Sequence, residues 1–283
     1  MKKMKKFAAF FLAVAMVLSL SACGSFATKM AKAVKKMEAV KSYHMSMTVP
    51  MSMTLSVLGQ EVNSDMNMGW ELDVCKEPMT AAGTISAAML GMESEEIPFY
   101  MEKVGDEYKV YTQSVLGWNV ETLSADQEPV QIDTVSGLKI FMEAGKIFEE
   151  AGSETVSGSK ATRFDGVIEG EYVAAVLSMS GVKDMLSEIL GAELDEQALA
   201  GLGGVPTSIW IDDASGMIVR YDMEMSELIN ALTSQLVDSV KDEYGLEGLD
   251  MDISIRSLNA SVVLSDFDRI GQIEIPAEAR AAA

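Results

Sequence analysis

The sequence predicts an α+β fold: a curved antiparallel β-sheet, an open half-barrel, with α-helices packed on its concave apolar face. Three observations predict it. Long runs alternate apolar and polar residues with period two, which gives each strand one apolar and one wet face. A few stretches carry apolar residues at helical spacing, enough to cover such a sheet. A proline and a phase slip inside the longest strands mark bends that curve it.

The elements follow in chain order. Phe26 to Val40 reads as a helix, with Met30, Val34, Met37 and Val40 on one face and Lys29, Lys32 and Lys36 on another. From Tyr43 to Val57 every odd position is apolar (Tyr43, Met45, Met47, Val49, Met51, Met53, Leu55, Val57). A turn is expected at Gly59-Gln60. The pattern then resumes on even numbers through Val62, Met66, Met68, Trp70, Leu72 and Val74. At ~3.3 Å per residue the first of these strands would reach roughly 50 Å. Pro50 marks a bend, bulge or edge within it. Shorter strands follow at Met79 to Met89, Ile97 to Met101, Tyr108 to Val110 and Trp118 to Val120.

In the second half a helix is expected from Val135 to Ala151, a strand from Ala161 to Ile168, and a helical stretch from Glu171 to Leu190. The Gly-rich, acidic run from Gly191 to Pro206 reads as a mobile loop or lid. A second hairpin joins Ser208–Asp212 to Met217–Met225, with Met217, Val219, Tyr221, Met223 and Met225 inward. Ser226 is placed to N-cap a helix bearing Ile229, Leu232, Leu236 and Val240, ended by Gly245. In the last strand the apolar phase slips between Ile255 and Leu258, which predicts a β-bulge near Ser257.

The first residues have a different logic. Four lysines within Met1–Lys6 precede an apolar run from Phe7 to Leu20, too short for a permanent span and suited to a secretory leader. Leu20-Ser21-Ala22-Cys23 resembles the lipobox of bacterial lipoproteins. That resemblance implies diacylglycerol on the Cys23 sulfur and cleavage between Ala22 and Cys23. An ordinary secretory cut after Ala22 would put Leu20 at the −3 position, where a small residue is wanted. Residues 1–22 are therefore read as a cleaved signal peptide, 23–41 as lipid anchor, short tether and basic helix, and 42–283 as one domain. The expected location is the outer face of the cytoplasmic membrane.

Composition narrows the function further. The chain has two Cys and one His, so Cys75 has no disulfide partner once Cys23 is lipidated, and a zinc site lacks ligands. From Ser42 onward the net charge is −29, whereas Phe26 to Lys41 carries +4. The basic stretch either orients the body on anionic headgroups or simply solvates a helix face. The acidic body disfavours nucleic acid. His44 falls on a polar strand face and reads as a solvated histidine; Cys75, also in polar phase, reads as an inert, partly exposed thiol. No phosphate loop, nucleophile elbow or zincin helix is present, so no catalytic residue, cofactor or enzymatic activity is expected.

The lipidated Cys, the basic helix and Ser42-Tyr43-His44-Met45-Ser46-Met47 opening a long hairpin resemble the LolA/LppX-like lipoprotein superfamily. Trp210-Ile211-Asp212, Ser215-Gly216 and Ile275-Pro276-Ala277-Glu278-Ala279 are similar to uncharacterised Gram-positive lipoproteins of that kind. The resemblance implies an open barrel with helices in its mouth and a cavity for lipid or acyl chains. It supplies no catalytic residues. Cavity candidates on the inner strands are Met45, Met47, Met51, Met53, Met66, Met68, Trp70, Tyr221 and Met223. The Met-x-Met pairs admit three readings: plain core, a pliable wall for acyl chains, or thioether ligands for Cu(I). The core reading leads, because these residues stand where the pattern demands apolar side chains. The expected function is a non-enzymatic lipoprotein that binds an apolar or amphiphilic ligand. The alternative is an envelope interaction module with a filled core, recognising a protein or wall polymer.

Overall fold

A computed structural model describes residues 25–89, 95–124, 134–143, 148–169, 172–179, 203–244 and 251–282. The long hairpin organises the rest. Strand β1 (Ser42–Val57) and strand β2 (Gln60–Lys76) pair without interruption from Val57 opposite Gln60 to Ser42 opposite Cys75. The turn is therefore Leu58-Gly59, one residue earlier than expected. Both residues have positive φ, 52° and 74°, the backbone of the two-residue turns that match strand twist. Such turns favour Asn-Gly; here a leucine, 71% exposed, takes the strained position. Leu58→Asn is expected to stabilise the protein by about 1 kcal/mol, read as a rise in Tm of a few degrees. An unchanged Tm would mean that contacts of the leucine offset its backbone strain.

Nine further strands complete one antiparallel sheet: β3 (Met79–Met89), β4 (Glu95–Val104), β5 (Glu107–Ser114), β6 (Gly117–Ser124), β7 (Glu149–Val156), β8 (Ser159–Ile168), β9 (Val205–Asp212), β10 (Ile218–Glu224) and β11 (Met251–Ser265). The order is β6-β5-β4-β3-β2-β1-β11-β10-β9-β8-β7, so the sheet has two edges and does not close into a barrel. The chain meanders outward from β1 to β6, crosses to the far edge at β7, and works back until β11 lies beside β1.

Five described helices accompany it: α1 (Ser25–Ala39), α2 (Thr134–Glu143), α3 (Tyr172–Met179), α4 (Ser226–Tyr244) and α5 (Ala277–Ala281). Helix α1 buries Phe26, Met30, Ala33, Val34 and Met37 against the concave face, as its periodicity predicts, and leaves Lys32, Lys35 and Lys36 exposed. Phe26 stacks on Phe148 at 4.7 Å and leans on Phe164 at 5.1 Å. One continuous apolar cluster joins α1 and α2 to the inner faces of β1, β2, β4 and β8–β11.

Curvature has local causes. The β1–β11 ladder lapses between the pairs Thr48–Ser261 and Met51–Leu258, where Pro50 has no N–H to give. One step on, Ser52 pairs with Ser257 but Met53 with Ile255, so Arg256 is the extra residue of the expected bulge. Helix α4 is stitched to this irregular strand. The Asn230 amide donates to Ile255 O (2.7 Å) and accepts from Ile255 N (2.6 Å). Ser226 opens α4, but its hydroxyl receives the amide of Leu258 at 2.7 Å and so ties the helix to β11.

Several expectations need correction. Of the helix foreseen over Val135 to Ala151, α2 covers the described residues to Glu143, residues 144–147 lie outside the described residues, and Glu149 to Ala151 belong to β7. That edge strand is exposed everywhere except Val156 and is broken by a bulge between Glu150 and Gly152, so it shows no apolar alternation to read. Of the expected stretch Glu171 to Leu190, α3 covers Tyr172–Met179, and the remainder lies outside the described residues. The loop foreseen over Gly191 to Pro206 also lies largely outside them, but its last two residues, Val205 and Pro206, begin β9. In β10 the register slips between Ile218–Ile211 and Arg220–Trp210. The slip turns Val219 to the convex side, among Val156, Ala161 and Trp210, and Ile218 faces the core instead.

After β11 the chain crosses the convex side of β4–β6. There Ile275 and Ala279 bury against Tyr111, and Arg280 pairs with Glu102 at 2.8 Å.

Candidate ligand-binding wall

Register puts all nine cavity candidates on the concave face. Across the ladder Met47 faces Trp70 and Val262, Val49 faces Met68, Met51 faces Met66, and Leu55 faces Val62. Tyr221 also faces Val262, and Met223 faces Ala260. Alternate side chains of a strand share a face, so these rows form one surface.

Burial splits that surface in two. Met45, Met47, Met51, Tyr221 and Met223 are buried, none above 7% exposed, and pack as core. Phe141 of α2 lies over Tyr221 at 5.4 Å, and burial pushes the Tyr221 phenol well above its ordinary pKa. Met53, Met66, Met68 and Trp70 are half-buried at the edge of the core, and Ile85 and Ile253 join them. Among the described residues α4 packs along β11, and α1 touches β9 and β10.

Strand β3 runs beside this wall. Ala87 stands opposite Met68, whereas Ile85 stands opposite Trp70 and Met89 opposite Met66; further along, Gly83 lets β3 approach the backbone of β2 beside Leu72. Towards the hairpin tip the wall opens into a cleft of about 280 Å³ lined by Leu55, Val57, Leu58, Gln60 and Val62. Leu55, Val57, Val62, Ile85 and Ile253 were not among the candidates. Their strand phase was visible in the sequence, but which apolar residues stay uncovered depends on where helices land.

Along β1 and β2 the convex face is polar and internally paired. His44 sits between two carboxylates of β2, with Nδ1 2.8 Å from Asp73 Oδ1 and Nε2 3.1 Å from Glu71 Oε2. It is thus a clamped residue and not a freely solvated one. Burial pulls the imidazolium down, but the bonds to Asp73 and Glu71 outweigh it and hold the pKa above its ordinary 6.5. A raised folded-state value means that the clamp stabilises fully below about pH 6.5 and fades as pH rises through the folded pKa. A Tm series from pH 5 to pH 9 should show this component in the wild type and not in His44→Gln.

Trp210, from the Trp210-Ile211-Asp212 motif, also belongs to this side. The guanidinium of Arg220 lies 4.6 Å from its ring centre and that of Arg163 5.2 Å, a cross-strand brace remote from the wall. A second, polar cleft of about 820 Å³ opens where the C-terminal segment passes Lys41, Cys75, Glu77, Lys103 and Arg280. Cys75 donates to Gly271 O at 3.2 Å, and burial pushes its thiol pKa up, which suppresses the reactive thiolate. Among the described residues no group of three His, Cys, Asp or Glu side chains is placed to hold a metal.

A family model for DUF6612, a family of unknown function, matches residues 27–118, less than half of the chain. No curated protein matches. Among solved structures the chain is similar to the Mycobacterium tuberculosis lipoprotein LppX, at 12% identity over 88% of this chain and 97% of that one, with a TM-score of 0.47. It is likewise similar to LprF from Mycobacterium bovis, at 14% identity over 89% and 96%, with a TM-score of 0.49. No residue role is carried over at such identities. By its own topology the chain is an open eleven-stranded antiparallel half-barrel with helices in its concavity.

Proposed function

We propose that this protein is an exported, non-enzymatic lipoprotein of a Gram-positive envelope. Lipid on Cys23 holds it to the outer face of the cytoplasmic membrane, and an apolar or amphiphilic ligand lies against Met53, Met66, Met68 and Trp70. In this reading residues 1–22 are removed, 23–41 anchor and orient, and the remainder is the binding domain. The observation that carries the reading is the split in burial. The concave face is a filled core beneath the helices and becomes a half-buried apolar wall at Met53, Met66, Met68 and Trp70. Methionine suits such a wall, because an unbranched thioether adapts to flexible acyl chains.

The core runs from Phe26 to Ala279, so a chain beginning at Gly24 contains all of it. Native mass spectrometry of that chain, followed by organic extraction, should reveal co-purified lipid in near-stoichiometric amount. Met68→Asp should lower uptake of a fluorescent fatty acid by at least about tenfold, because it buries an unpaired charge against the ligand. A clean apo mass and no uptake of the probe by the wild type would overturn the reading. The polar cleft of about 820 Å³ would then favour the second reading, an envelope interaction module for a protein or wall polymer.

A further inference from the structure

We propose that Met53, Met66 and Met68 form an oxidisable patch whose conversion to methionine sulfoxide empties the ligand wall; this rests on the lipid-binding reading above. The observation is the distribution of thioethers by depth. Methionine supplies 22 of the 283 residues. In the core between the sheet and its helices Met30, Met37, Met45, Met101, Met223 and Met225 are at most 2% exposed. Met53, Met66 and Met68 are half-buried and belong to the wall itself. They are also neighbours. Met66 and Met68 share one face of β2, and Met66 pairs across to Met51, two residues from Met53 on the same face of β1. An oxidant arriving from solvent meets these sulfurs before those of the core.

The reaction needs a hydroperoxide or hypohalous acid, to which an exported protein is open. With a hydroperoxide, the thioether sulfur attacks the terminal oxygen. A sulfur–oxygen bond forms, the O–O bond breaks, and the alkoxide leaves and takes the proton as an alcohol. Sulfur is oxidised by two electrons and the peroxide is reduced by two. The product is a polar sulfoxide that only accepts hydrogen bonds. An apolar ligand offers it no donor, so three such groups in one wall oppose binding. The core methionines keep their sulfurs, and the fold survives while the ligand is released. Enzymatic reduction of the sulfoxides would restore the wall.

The test uses the chain from Gly24, hydrogen peroxide as oxidant and a fluorescent fatty acid as probe. Peptide mass mapping over a peroxide titration should find one oxygen on each of Met53, Met66 and Met68 before any on Met45 or Met101. Probe affinity should fall at least about tenfold over the same range and recover with methionine sulfoxide reductases. Outside the patch, Met142, 38% exposed on α2, and Met79 and Met217, half-buried like the wall methionines, will also oxidise. A Met53→Leu/Met66→Leu/Met68→Leu variant controls for them: whatever its own starting affinity for the probe, peroxide should not change it. Oxidation that reaches core and wall sulfurs together would overturn the proposal. So would wild-type affinity that survives oxidation of all three, or a triple variant as sensitive as the wild type. If the reduced wild type binds no probe, the lipid-binding reading fails, and the release proposal with it, whatever the mass map shows.

Discussion

Gly83→Ala is expected to destabilise the protein by about 3 kcal/mol or more, at the upper end of what overpacking does. Gly83 stands in β3 between Leu72 of β2 and Phe99 of β4. A Cβ there would run into the carbonyl oxygen of Glu71 and lie 2.8 Å from its carbonyl carbon and 3.0 Å from Leu72 Cα. All three are backbone atoms of the neighbouring strand, so no rotamer change relieves the clash. The strands must part, and the ladder that carries Met66, Met68 and Trp70 would shift with them. For a domain of this size the loss corresponds to a fall in Tm of roughly 10 °C. Thermal unfolding followed by circular dichroism would measure it. A near-native Tm would show that β2 and β3 separate easily, and the tight approach would then carry no weight in shaping the wall.

The same strands show why some of the fold was legible in the sequence and some was not. β1 and β2 have one dry and one wet face, and alternation over Tyr43–Val57 records that directly. Helix α1 is legible because Met30, Val34 and Met37 face one side and its lysines the other. The bulge at Arg256 is legible because an extra residue shifts the apolar phase of a strand otherwise regular. The bulge in β10 has the opposite effect. Val219 keeps the parity of Tyr221, yet it packs with Trp210 on the convex face, because the sheet is apolar there on both sides and the phase carries no information. β7 was illegible because it is wet on both faces, and Leu58 because its turn is held by the register of two long strands against the preference of its own residues. For the candidate site, strand phase placed the candidates on one face but could not separate Met53, Met66 and Met68 from Met45 and Met47. That separation depends on which rows the helices cover, a tertiary property.

Cys23→Ser is expected to abolish lipid attachment outright, the largest functional effect of any single substitution. Serine offers no thiol for the diacylglyceryl group, and the lipobox peptidase requires that modified cysteine, so the product should keep its leader. In a Gram-positive host fed an alkyne fatty acid, the wild type should be labelled and run at the size of the chain from Cys23. The variant should be unlabelled and run larger. Label and size are the decisive readouts, because an uncleaved leader with its apolar run from Phe7 to Leu20 can itself retain the chain on the membrane. Two acyl chains at ~0.8 kcal/mol per buried CH₂ give the stable hold that one chain does not. With α1 beginning at Ser25, one residue after Gly24, such an anchor would set the basic helix beside the headgroups. Lys32 and Lys35 are exposed there, while the −29 charge of everything after Lys41 favours holding the rest away. A labelled variant, or an unlabelled wild type, would remove the anchor and with it this account of how the half-barrel is presented to the membrane.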